Sequence, residues 1–361
     1  MNFKKIARQV LAMTVLTSIA LVGCGGEPKT TTGEGASNTT SNKSQSLIIY
    51  SNSVADGRGE WLKEKAKEEG FDIEYVDAGG GEIANRLIAE KNSPIADIVF
   101  GLNTMNYEQF KEEDLLEQYV PVWAGEVTEG LNDPEGYYHA LVKQAIVLVY
   151  NADLYTKETA PQDWPDLWNN EAFRGLYQVQ TGLGGSTVRN VIAGILVRYQ
   201  DPNGELGISE EGWKEIGKFF NYGTPAVQGE DLYVSLANET NHFGQMWSSG
   251  IADREKQYGV NTDMVNPEVG VPYAVEQIAI VKGTKKLETA KAFVDWFGSE
   301  EVQGEWAQEF STMPANEGAM ALASEEARFV SENYKPQMID WKFVAQNMED
   351  WCEKIELQYM Q

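Results

Sequence analysis

Three short stretches decide the fold: SLIIYSNS at residues 46–53, FDIEYVDA at 71–78 and ADIVFGLN at 96–103. Each is an apolar run of strand length that ends in small polar residues. An amphipathic stretch through Trp61, Leu62 and Ala66 separates the first two, and GEIANRLIAEKN at 81–92 separates the second pair. Strand alternating with helix predicts a parallel α/β sheet. In such sheets ligands are held by the loops at the carboxyl ends of the strands. Here those ends carry Ser51 and Ser53, Gly79 to Gly81, and Asn103 with Thr104. Ordinary turn chemistry explains any one of these sets, but three along one edge form a candidate binding rim.

Further along, HALVKQAIVLVYNADLY at 139–155 reads as a long buried strand ending in a turn. It is followed by APQDWPDLWN at 160–169 and by TGLGGSTVRN at 181–190. The glycines of the last stretch let backbone approach a ligand, and a helix start just beyond offers free amides to an anion. It is no P-loop, because Gly185 is followed by Ser186 and Thr187 without the lysine. It is no nucleophile elbow either, since Val188 stands where glycine is needed. Read structurally, it is a helix start capped by Ser186 or Thr187. GVPYAVEQIAIVKG at 270–283 is another buried strand, and the amphipathic helix ETAKAFVDWFG at 288–298 follows it.

The ends of the chain speak to compartment. Lys4, Lys5 and Arg8 precede an apolar run from Val10 to Val22, which is an export signal too short to span a bilayer. Leu21-Val22-Gly23-Cys24 resembles the lipobox of bacterial lipoproteins, which implies lipidation of Cys24, a lipid-anchored mature protein on the outer face of the cytoplasmic membrane, and removal of residues 1–23. Residues 24–45, rich in Gly, Thr, Ser and Asn, read as a flexible tether. Cys352 is then the one remaining free thiol. A formal charge of −26 repels nucleic acid and anionic lipid surfaces. It does not forbid an anionic ligand, because local amides and an arginine can reverse the potential inside a cleft. The roughly 315 residues after the tether suggest two lobes.

Taken in order, IIYSNS, GGGEIANRLIAEK, ADIVFGLN, GYYHALVKQAIVLVYNADL, PQDWPDLWN and VEQIAIVKGTKKLETAKAFVDWFGS resemble the extracellular solute-binding proteins of ABC transporters. The subgroup is the one related to ferric-iron, phosphonate, sugar-phosphate, thiamine and polyamine binders. The resemblance implies a type II periplasmic-binding-protein-like α/β fold, each lobe a mostly parallel sheet flanked by helices. It puts residues 46–142 and 270–310 in lobe one and 143–269 and 311–361 in lobe two. Crossover strands are expected near Leu141–Val149 and Pro272–Ile278, with hinge closure around ligand and a membrane permease as partner. A monomer without a cofactor is expected.

Ferric binders of that family carry an adjacent tyrosine pair in lobe two, and in GQMWSSGIADREKQYG at 244–259 Ser249 and Gly250 stand there instead. Tyr137 and Tyr138 belong to the GYYH element and read as hinge packing. His139 and His242 are the only histidines, so no metal site is expected. Small hydroxyl and glycine loops suit a phosphate or phosphonate better. The candidate ligand residues are Ser51, Ser53, Gly80, Gly81 and Asn103 from lobe one, and Gly185, Ser186, Thr187, Trp247, Ser248 and Ser249 from lobe two. Arg254 is a candidate bidentate cation, or else a surface residue paired to Asp253 or Glu255. Tyr273 and Glu276 on the return strand complete the set, with Glu276 or Asp253 facing an amine if the ligand has one. A hexose phosphate would ask for polar side chains and an aromatic there. Ferric iron held with an anion, a polyamine, and a ligand-sensing receptor are the alternatives. No nucleophile–base pair, metal spacing or cofactor loop suggests an enzyme.

Overall fold

The computed structural model describes residues 46–360. The leader, Cys24 and the tether lie outside those residues. Strands β1 (Leu47–Ser51), β2 (Ile73–Asp77) and β3 (Ile98–Gly101) run parallel in the order β2-β1-β3, alternating with helices α1 (Arg58–Glu68), α2 (Gly80–Ala89) and α3 (Thr104–Glu112). The runs of β1 and β3 are apolar on both sides because both faces are covered, whereas the edge strand β2 carries exposed Glu74 and Asp77. Leu47, Ile49, Ile98 and Phe100 pack with Leu62 and Ala66 of α1 on one face. Tyr50 and Val99 pack with Ile83 and Leu87 of α2 on the other.

A two-residue β4 (Leu116–Glu117) leads to β5 (His139–Asn151), the longest strand. Helix α4 (Asp166–Asn169), β6 (Gln178–Val179), α5 (Ser186–Leu196), β7 (Gln200–Glu205), α6 (Glu210–Tyr222), β8 (Thr224–Pro225) and α7 (Leu232–Ala237) come next. Then follow β9 (Phe243–Trp247), α8 (Ile251–Tyr258), β10 (Thr262–Met264) and β11 (Tyr273–Val281). The chain closes with α9 (Leu287–Phe297), α10 (Glu300–Phe310), β12 (Met313–Pro314), α11 (Glu317–Met320), α12 (Glu325–Asn333) and α13 (Trp341–Gln358).

Strands β5 and β11 tie the molecule together. The first part of β5 pairs antiparallel with β11, which pairs antiparallel with β3; the second part of β5 pairs antiparallel with β9 and β10. The expected two-part α/β architecture is therefore built on mixed sheets, in which the long crossing strands supply the antiparallel ladders. Beyond them, Trp168, Trp351, Phe219, Val191 and Ile195 form the core of the β9 half, contributed by α4, α13, α6 and α5.

Along β5 and β11 side chains alternate between two faces. Gln144, Ile146, Ala274 and Glu276 face a cleft between the halves, whereas Lys143, Tyr273 and Val275 face the opposite side. A register shift between Glu276 and Gln277 marks a bulge where that carboxylate enters the cleft. Helix α5 rests on the start of β11 at Gly194, where an added Cβ would lie 2.5 Å from Pro272 Cγ. Gln337 Nε2 donates to the Gly194 carbonyl at 2.8 Å and fixes the contact.

Candidate functional site

On the β1 side the cleft wall is made by strand ends. Asn52 Oδ1 accepts from the Leu102 amide at 2.6 Å and from Ser53 Oγ at 3.2 Å, so the loops after β1 and β3 are locked together. Gly101, at φ 85°, makes that approach possible, since a Cβ there would lie 2.5 Å from Asn52 Oδ1. The Ser53 amide donates to Ser51 Oγ at 3.0 Å. Helix α2 opens after Gly79 without a side-chain cap. Its first-turn amides have no partner within the helix and point toward the cleft end.

On the β9 side α5 also opens after a glycine. Gly185 is the N-cap, in extended conformation and without a side-chain hydrogen bond, and Ser186 and Thr187 are the first helical residues. The expected cap by Ser186 or Thr187 is thus corrected by one position, which releases both hydroxyls from capping. Asn103 caps its own helix, accepting from the Asn106 amide, and its Nδ2 donates across the cleft to Ser186 Oγ at 3.1 Å.

The hollow measures about 520 Å3, and Ser53, Gly80, Gly185, Ser186, Thr187, Trp247, Arg254 and Glu276 all line it. Arg254 lies over the Trp247 ring at 4.5 Å, with its Nε donating to Asp231 Oδ2 at 2.8 Å and its Nη2 3.8 Å from Asp56 Oδ2. Its ion-pair partners are therefore Asp231 and Asp56, not the neighbours Asp253 and Glu255; Glu255 is engaged by Thr262 instead. Glu276 accepts from Gln144 Nε2 at 3.3 Å. Burial pushes its carboxyl above the ordinary range, against the lowering influence of Arg58, Ser53 and Gln144.

Six expected residues stand outside the wall of this hollow. Ser51 is fully buried beneath Ser53, and Gly81 faces the Gly184 carbonyl across the cleft, 3.6 Å from where its Cβ would be. Asn103 acts as the bridge just described. Ser248 Oγ accepts from the Ala145 amide at 3.3 Å, and Ser249 Oγ accepts from Arg58 Nη2 at 3.1 Å. Tyr273 is a correction: it lies on the far face of β11, its hydroxyl donating to the Tyr334 carbonyl at 2.8 Å.

Arg58 is the residue that sequence reasoning missed. It is the first residue of α1, after Gly57 at φ 82°, and reaches the cleft with its Nε buried and lacking a hydrogen bond. A cation in the first turn opposes the helix dipole, and that misfit was the available signal. The residues weighed for metal binding are occupied elsewhere: His139 Nε2 lies 2.8 Å from the Tyr119 carbonyl, His242 Nδ1 lies 2.7 Å from Tyr155 Oη, and Tyr138 donates to Glu108. Among the described residues no three His, Cys, Asp or Glu side chains gather as a metal cluster.

Residues 93–347 match the profile of a family described as bacterial extracellular solute-binding protein. A probable ABC transporter periplasmic-binding protein, y4fP, of Sinorhizobium fredii is 33% identical over 315 residues, covering 87% of each chain. A putative 2-aminoethylphosphonate-binding periplasmic protein of Salmonella typhimurium is 24% identical over 272 residues, covering 71% of this chain and 75% of the relative. The solved ferric binding protein from Campylobacter jejuni shares the fold at a TM-score of 0.73 and 20% identity, over 87% of this chain and 99% of that one. Among the described residues no helix is long and apolar enough to cross a membrane.

Proposed function

Because the chain belongs to the bacterial extracellular solute-binding proteins and is the substrate-binding component of an ABC transporter, we propose that its cleft captures a small phosphonate or phosphate ester and delivers it to a membrane permease. The favoured ligand carries an amine, as 2-aminoethylphosphonate does. One observation carries this reading: the uncapped starts of α2 and α5 and two arginines share a hollow with the half-buried carboxylate of Glu276. Amides at helix starts and the guanidinium of Arg58 suit the oxyanion. An ammonium beside Glu276 would offset the cost of burying that charge. The related 2-aminoethylphosphonate-binding protein of Salmonella typhimurium, by its name, points the same way. Ser51, Gly81, Asn103, Ser248 and Ser249 then serve as supports of the wall, and Tyr273 has no part in it. A lipid anchor at Cys24 and lobes of residues 46–142 with 270–310 and 143–269 with 311–361 complete the proposal.

A sugar phosphate is the second reading, favoured by a smaller hollow of about 300 Å3 behind Trp247 and Arg254. Gln178, Gln180 and Gln245 line it, which is suitable chemistry for hydroxyls. Thermal unfolding with 2-aminoethylphosphonate, ethylphosphonate and glucose 6-phosphate separates the two. A ligand at ~100 times its Kd adds about 2.7 kcal/mol of stability. Glu276→Gln is expected to abolish the preference for 2-aminoethylphosphonate over ethylphosphonate. A flat response to all three, with a response to Fe3+ or spermidine, would sink the oxyanion reading.

The same variant has a pH signature. Between the ordinary value near 4.5 and its raised folded value, Glu276 binds its proton more tightly in the folded chain than in the unfolded one. Stability therefore falls as pH rises through that window, and Glu276→Gln, without ligand, should be the more stable protein at neutral pH.

A further inference from the structure

The two crossing strands floor a second hollow, on the face turned away from the cleft. Its volume, about 570 Å3, is on the scale of the cleft itself and of small-molecule sites generally. Lys143 of β5 and Tyr273 and Val275 of β11 form the floor, and Leu131 and Tyr334 add apolar wall. The Lys143 side chain is half-buried here, and among the described residues it has neither a hydrogen bond nor an ion pair. Burial holds its pKa below the lysine range, with Glu317 the one carboxylate acting against that shift. A desolvated ammonium without a close counter-ion is costly, and an anion placed against it would remove that cost. Exposed Glu268 and Glu332 at the rim disfavour a polyanion, while Lys335 there offsets one of them.

We propose that this back hollow is a second ligand site, for a small monoanion with a flat apolar body such as an aromatic carboxylate. The carboxylate pairs with Lys143, and the ring rests on Tyr273 and Val275. Since both strands also line the cleft, an occupant would touch the hinge from behind. The inference stands independently of which solute the cleft takes.

Fluorine NMR of 4-fluorobenzoate with the full chain tests it. Saturable line broadening is expected, with affinity about tenfold weaker in Lys143→Met, as befits loss of a charged hydrogen bond. Lys143→Arg and Glu276→Gln should retain binding, and uncharged 4-fluorobenzamide should bind more weakly than the acid. A melting temperature of Lys143→Met at or above that of the unmutated chain separates lost binding from lost folding. Equal binding by Lys143→Met, loss in Glu276→Gln, or equal binding of the amide would each overturn the site.

Discussion

Helices α2 and α5, which begin at the cleft, differ from six of the other helices. Helices α6, α10 and α12 start at Ser209, Ser299 and Ser324, whose hydroxyls accept from a first-turn amide. Helices α7 and α13 use Asp231 and Asp340 in the same way, and α11 uses Asn316. By contrast α2 and α5 start at Gly79 and Gly185, and no side chain occupies their first-turn amides. A capping side chain contributes stability but blocks the anion site that the same amides would make. Asn103 lies between the two kinds: it caps α3 and spends its other end on Ser186. The difference teaches that a helix start without a cap can be an open coordination position, provided its neighbours form a hollow.

The largest expected effect comes from turning a cleft helix into the ordinary kind. Gly185→Asp puts a carboxylate cap on α5, and the new Cβ meets nothing closer than Val188 Cγ1 at 3.8 Å. Affinity for an anionic ligand should fall about tenfold by titration calorimetry while the melting temperature holds, because the cap compensates. Unchanged affinity would mean that the α5 amides are not used. The converse change, Ser324→Ala on α12, should cost about 1 kcal/mol of stability in denaturant unfolding and leave affinity alone. An affinity loss there would erase the distinction between the two kinds of helix start. Smallest is Gly79→Asp on α2, where the Cβ has open space. A loss of about threefold is expected from charge repulsion at a more open helix end, and a loss exceeding that of Gly185→Asp would shift the anion to the β1 side.

The fold was legible because short continuous apolar runs such as LIIYS, IVFG and YAVEQIAIV alternate with amphipathic stretches of helical period. The glycine helix starts were legible for the same local reason, although the cap fell on Gly185 and not on Ser186. What depends on distant chain was not legible: Arg254 finds Asp231, and Ser249 finds Arg58, 191 residues away. Tyr273 is a different case, since its placement could have been read. Residues three apart on a strand face opposite sides, so Glu276 in the cleft puts Tyr273 behind it. The bulge falls just after Glu276, too late to rescue Tyr273 for the cleft.

The contact of Gly194 with Pro272 couples α5 to the crossing strands. Its first turn lines the cleft hollow, and eight residues further on the helix bears against the residue that precedes β11. The Pro272 carbonyl in turn accepts from the Ile146 amide of β5 at 2.8 Å, so one path of contacts runs from Ser186 and Thr187 to both crossing strands. The cleft edge and both crossing strands are thereby joined through one close approach, where any side chain larger than hydrogen would force Pro272 to move.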